Sequence, residues 1–293
     1  MNAAAILGLG IQISIFITVL SFGMRASFTD IALLFRRPGQ LLKALIAIFV
    51  IMPAFAILVV KIFPLNPVIV VVLISLSVSP IPPLFPKTAF KSGGEASFTF
   101  GLFAAVTFLS IIIIPLAFVV FDAISGRDAQ FSETFLIKTL FITVVLPMAL
   151  GMALHHLAPP FAARYADVFT KIGGILLIVS ILPILIAILP TMWSLIGKGT
   201  LLALILFALV GAAAGYFLGG PDPKERAVLA LATAARHPGI AIALAGANVD
   251  ETLKKTVAAA VILYLFISAI VVAPFLKWLS GDKAAAKAGK KEA

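Results

Sequence analysis

Ser77-Val78-Ser79-Pro80-Ile81-Pro82-Pro83 and Thr233-Ala234-Ala235-Arg236-His237-Pro238-Gly239 decide how this chain folds. Both lie inside long apolar runs, yet neither can stay one regular α-helix. A proline removes a backbone donor, and its ring clashes with the preceding turn. Hydrocarbon does not tolerate the carbonyls so freed unless protein or a water-filled cavity supplies a partner. The single prolines Pro53, Pro115, Pro147, Pro183 and Pro274 read as ordinary kinks. The two quoted stretches read as breaks.

That the surrounding runs cross a membrane follows from composition. Of 293 residues, 62% are hydrophobic and 12% charged, with a mean hydropathy of +1.19; soluble domains are about half apolar and a quarter charged. Apolar runs bounded by charges or by Gly and Pro give nine expected helices: 4–23, 40–60, 67–85, 96–121, 134–154, 168–190, 200–219, 226–248 and 256–278. At about 20 residues per span they use up the chain, so 1–293 is expected as one all-α integral membrane domain with a basic tail at 280–293. The first run has no positive flank and no small-x-small cleavage site, and reads as a permanent span rather than a signal peptide.

The net charge of +10 distributes by side. Fifteen Lys and Arg (Arg25, Arg36, Arg37, Lys43, Lys87, Lys91, Arg164, Lys171, Lys224, Arg226, Lys277, Lys283, Lys287, Lys290 and Lys291) face one way and six (Lys61, Arg127, Lys138, Lys198, Lys254 and Lys255) the other. Positive flanks stay in the cytoplasm, which predicts an outside amino terminus and a cytoplasmic carboxyl terminus in the inner (plasma) membrane. No basic stripe or nucleic-acid motif is present, so no nucleic-acid partner is expected. The absence of cysteine excludes disulfides, thiolate metal sites and a Cys nucleophile.

The two breaks form a pair. Pro80 precedes Pro115 by 35 residues and Pro238 precedes Pro274 by 36; a Phe-x-Ser step, Phe108-Leu109-Ser110 and Phe266-Ile267-Ser268, stands before each later proline. By the charge topology 67–85 runs inward and 226–248 outward, so the units are inverted. Pro-interrupted segments at matching positions of inverted halves point to a secondary transporter site near the midplane. Half-helix N-termini offer free N–H groups to an anion, and half-helix C-termini offer carbonyls to a cation.

The chain resembles the bile acid:sodium symporter superfamily. The resemblance rests on Phe22-Gly23-Met24-Arg25 with Phe35-Arg36-Arg37-Pro38-Gly39, on Ile51-Met52-Pro53, on the Pro-rich break before Lys91-Ser92-Gly93-Gly94, and on Arg236-His237-Pro238-Gly239-Ile240-Ala241-Ile242-Ala243-Leu244-Ala245. It implies a nine-helix member with two discontinuous crossing helices, a core over 40–121 and 200–278, and a panel of 4–23, 134–154 and 168–190. It also implies sodium, but the chain departs from the family at the sodium ligands. The Glu of the second crossing helix is Ala232 here, the following Gln is Arg236, the Gln before Met-Pro is Ile48, and the first break reads Pro82-Pro83-Leu84-Phe85-Pro86-Lys87. Sodium-independent or differently coupled transport follows as the expectation.

Charge supports the same view. The twelve carboxylates, Asp30, Glu95, Asp122, Asp128, Glu133, Asp167, Asp222, Glu225, Asp250, Glu251, Asp282 and Glu292, all stand at or beyond the expected helix ends. A carboxylate proton relay and an intramembrane aspartyl protease are thereby disfavoured, and no acid pair, Cys or metal set supports an enzyme. Arg236 remains as the fixed charge deep in the bilayer, at a cost of about 2.5–3.5 kcal/mol on insertion scales. Two uses are open to it. It stands where sodium would sit and meets an anionic substrate group, or it ties the crossing together through carbonyls at Ser79 to Pro83 or the hydroxyls of Ser77, Ser79 and Thr233.

His237 is either a proton-coupling site or a neutral ring bonded at the break; His155-His156 is too short a cluster for a metal. Gln12, Thr18, Thr107 and Tyr264 line a cavity or bond across helices. Lys87 to Lys91 read as a cytoplasmic loop that attracts anions or sets topology. The expected substrate site is Arg236, His237, Thr233, Ser77, Ser79, Pro80, Pro82, Pro83, Pro238 and Gly239, with no metal ligands and no cofactor beyond the open question of sodium. The expected function is secondary active transport of a small organic anion by alternating access. The rivals are an auxin-efflux-like or arsenite-efflux-like carrier and a non-transporting membrane sensor.

Overall fold

A computed structural model describes residues 3–125 and 132–289; Arg127, Asp128 and the end of the basic tail, 290–293, lie outside the described residues. Every regular element among those residues is helical: α1 (Ala3–Gly23), α2 (Phe28–Ala32), α3 (Pro38–Ile46), a π turn (Ala47–Ile51), α4 (Met52–Ile62), α5 (Pro67–Val78), α6 (Phe85–Lys91), α7 (Ala96–Ser125), α8 (Glu133–Leu140), a second π turn (Phe141–Val145), α9 (Leu146–Leu157), α10 (Pro159–Ser194), α11 (Thr200–Leu218), α12 (Pro223–Ala234), α13 (Pro238–Gly246), a 3₁₀ turn (Glu251–Leu253) and α14 (Lys254–Gly289). Eight segments are long and apolar enough to cross a membrane, α12 and α13 together forming one of them across its break. The remaining expected span, 67–85, is broken where its prolines predict: α5 stops after 12 residues at Val78, and a short second helix begins at Phe85.

Two expectations of local structure are corrected here. Lys87 to Lys91 is not a loop but the body of α6. Pro86 stands in its first turn, where the missing N–H costs nothing, and Lys91 in its last turn favours the negative helix end. The span expected at 168–190 begins at Pro159 and runs 36 residues, about 54 Å at 1.5 Å per residue, well beyond the hydrocarbon. Charges at Arg164 and Asp167 ended the apolar run but not the helix, and Asp167 pairs with Arg25 at 2.5 Å.

Small residues bring helices into backbone contact. A Cβ on Gly151 of α9 would stand 2.1 Å from the Leu20 carbonyl oxygen of α1, and one on Gly173 of α10 would stand 2.3 Å from Thr18 Oγ1. Ser14 Oγ donates to the Gly173 carbonyl at 2.7 Å. α1, α9 and α10 thus pack as a unit by the small-residue and hydroxyl contacts usual between spans. Gly211 and Gly215 of α11, and Gly219 just past its end, do the same against α12, where a Cβ on Gly215 would meet the Leu229 carbonyl oxygen at 2.3 Å. Residues Ala227 to Ala234 are buried without interruption, so α12 lies inside protein rather than on the lipid face.

The buried apolar side chains form two large clusters, one containing Ile48, Ile81, Phe85, Phe98, Phe103 and Ala234, the other Met52, Leu76, Phe207, Ala241 and Tyr264. Each broken span changes cluster across its break, where Val78 and Ile240 join a third, smaller cluster. Leu76 lies in the second and Ile81 in the first; Ala234 lies in the first and Ala241 in the second. The breaks therefore sit where these clusters meet.

Candidate functional site

Both breaks are extended backbone. Ser79, after α5, has φ −68° and ψ 142°; Ala235, after α12, has φ −81° and ψ 139°. They meet directly, for the His237 N–H donates to the Pro80 carbonyl at 2.8 Å. Three prolines in the first break leave carbonyls without local donors, and the second break supplies a donor.

Arg236 is wholly buried and reaches across the same junction. Its Nη1 donates to the Ser79 carbonyl at 3.2 Å and to the Ile48 carbonyl at 3.4 Å. Ile48 lies in the first π turn. In the π register its carbonyl would be bonded by the N–H five residues on, and Pro53 has none. The guanidinium carbon also stands 5.9 Å from the centre of the Phe207 ring, a cation–π placement. Phe207 packs edge-on against Tyr264 at 5.5 Å, and the Tyr264 hydroxyl donates at 2.5 Å to the Ala234 carbonyl, next to the break.

Of the residues expected at the site, Arg236, His237, Ser79 and Pro80 are brought together. The hydroxyls of Ser77, Ser79 and Thr233 donate to carbonyls of their own helices, Ile74 at 2.7 Å, Leu76 at 3.0 Å and Leu229 at 2.8 Å, and make no bond to Arg236. Pro83 is buried with Pro80, Pro82 and Pro238 are half-buried, and Gly239 is exposed. His155 Nδ1 pairs with the Met24 carbonyl at 2.9 Å. Sequence reasoning missed the Ile48 carbonyl and the Phe207 face. The first had a signal in Met52-Pro53, which releases a carbonyl upstream; the second had none.

His237 also caps α13, its Nδ1 accepting the Ile240 N–H at 3.3 Å. An accepting Nδ1 places the ring proton on Nε2. Nε2, together with Nε and Nη2 of Arg236, is buried with no hydrogen-bond partner among the described residues. Each such group costs about 1–3 kcal/mol, more when charged. All three are donors. The described ion pairs, Arg25–Asp167, Arg37–Glu225 and Lys254–Glu251, lie elsewhere.

Two clefts flank the crossing. One of about 590 Å³ is lined by Thr88, Lys91 and Ser92, by Ser268 of α14, and by Ala234 and Ala235 just before Arg236. The other, about 470 Å³, lies between Ser132, Leu136, Ile240, Leu244 and Lys254. Lys91 lines the first cleft and Lys254 the second.

The profile of the sodium bile acid symporter family matches residues 12–191. The chain belongs to this family. Family members are transporters rather than enzymes, and the all-helical membrane fold agrees with a secondary transporter. The match takes in α5, the first break and α6, whereas α12, α13, Arg236 and His237 lie beyond it. No curated protein gives a significant match.

The family's name implies sodium, and the donor set at the crossing does not suit that ion. A hard cation needs several oxygen ligands. The Ser79 and Ile48 carbonyls are bonded to a guanidinium, and the unpartnered groups beside them are donors.

Proposed function

We propose that the protein is a secondary active transporter of a small organic anion, working by alternating access. The observation that carries this is the set of three buried, unpartnered donors, Nε and Nη2 of Arg236 and Nε2 of His237, at the crossing of two broken helices. A carboxylate, phosphate or sulfonate group has acceptors only and satisfies such donors with charge assistance. Pro238 opens α13 directly after them, and the positive end of a nine-residue half-helix favours the same ligand.

Access comes from the two clefts in turn. Arg236 is sealed from both in this conformation. Movement of the α3–α7 and α11–α14 core against the α1, α9 and α10 unit exposes it to one cleft and then the other. In this reading the broken α5–α6 segment completes a ninth crossing, the amino terminus is outside, and the carboxyl terminus is cytoplasmic in the plasma membrane.

Thermal unfolding of the purified protein across a panel of organic anions tests the reading. Anions should raise the midpoint of the wild type. Arg236→Gln should weaken the apparent affinity about 100-fold, as expected for loss of a buried charge-assisted contact. Unchanged affinity in the variant, or a wild type that responds to no anion, would overturn the proposal.

A further inference from the structure

We infer that the guanidinium of Arg236 is a tethered cation, permanently occupying the position a coupling sodium ion would require, so that the chain operates without that ion. Three independent elements turn cation-binding groups toward this one side chain. α5 contributes the Ser79 carbonyl just past its C-terminal end, at 3.2 Å. The π turn before Pro53 contributes the Ile48 carbonyl, at 3.4 Å. α11 contributes the face of Phe207, 5.9 Å from the guanidinium carbon. Carbonyls released by breaks are the groups with which discontinuous spans hold coupling cations, and here they hold a covalently attached one.

Among the described residues, no carboxylate balances this charge. None of the described ion pairs includes Arg236, and the side chain is fully buried. Arginine stays protonated where lysine or histidine would neutralise. A sodium ion placed beside it would meet a like charge in a low-dielectric interior. The two residues whose backbones meet the guanidinium are Ile48 and Ser79; Ile48 carries no oxygen on its side chain, and the Ser79 hydroxyl is turned back to Leu76.

The inference deepens the transport reading by naming what replaces its coupling ion. Its experiment reads cations with no substrate present, so either can fail alone. Thermal unfolding of the purified wild type is compared in sodium and choline chloride at matched ionic strength, and the midpoint should differ by no more than about 1 °C. Arg236→Ala should unfold about 5 °C lower and recover at least half of that loss in guanidinium far below denaturing concentration, or in sodium, but not in choline. Three results would overturn the inference: sodium-selective stabilisation of the wild type, an Arg236→Ala protein as stable as the wild type, or one that no small cation restores. Should the variant fail to fold, equilibrium binding of radioactive sodium to the unmodified protein decides. No saturable binding is expected, and saturable binding refutes the tethered cation.

Discussion

The two breaks solve one problem in opposite ways. The first, from Ser79 to Leu84, is stiff by itself, since Pro80, Pro82 and Pro83 fix their own φ and delete three N–H groups. The second, Ala235 to His237, contains no proline and is held from outside: by glycines of α11 against α12, by Tyr264 on the Ala234 carbonyl, and by the His237 cap on α13. The difference follows from hydrogen-bond sign. A break that presents acceptors can be built from proline, because its carbonyls survive the loss of donors. A break that presents donors cannot, and it must borrow rigidity from its neighbours.

If that is right, the second break is the one that packing mutations disturb. The largest effect should come from Gly215→Ala. The added methyl meets the Leu229 carbonyl oxygen at 2.3 Å and Ala230 backbone atoms at 2.6 Å, so α11 and α12 must separate. Overpacking of this kind costs about 2–3 kcal/mol, a fall of roughly 5–10 °C in the unfolding midpoint. Gly8→Ala is the control, for a Cβ there meets nothing within 4 Å and should leave stability equal or slightly raised. Equal behaviour of the two variants would mean that α12 is not seated by this contact.

His237 joins two functions that one substitution separates. His237→Asn keeps a side-chain acceptor at the N-cap, where Asn is among the favoured residues, but loses the Nε2 donor. Stability should stay within about 0.5 kcal/mol of wild type, while the apparent anion affinity weakens about 10-fold, as for one hydrogen bond to a charged group. A matched loss of both properties would reduce His237 to a structural cap.

Both breaks, and the isolation of Arg236 from every carboxylate among the described residues, were legible in the sequence, because proline and a lone charge in an apolar run have few physical readings. Less visible was everything built from backbone. The Ser79 and Ile48 carbonyls that receive the guanidinium have no side-chain signature, and the hydroxyls of Ser77, Ser79 and Thr233, prominent in the sequence, are spent on their own helices. The early start of α10 was hidden by reading charges as span ends. A helix continues through Arg164 and Asp167 once Pro159 has opened it, whereas an apolar run does not.

The smallest contrast tests the borrowed rigidity most directly. Tyr264→Phe removes one hydroxyl and leaves the ring against Phe207, so its effect isolates the bond to the Ala234 carbonyl. Loss of a buried partner costs about 1 kcal/mol, or roughly 2–4 °C, and it loosens the carbonyl two residues before Arg236. Ser79→Ala removes a hydroxyl from the first break, but that hydroxyl bonds only within its own turn, and prolines hold the segment without it. A shift below about 0.5 kcal/mol is expected there. If Ser79→Ala proved the more damaging of the two, the first break would depend on its side chains and the second would stand alone, and the roles assigned to proline and to packing would have to be exchanged.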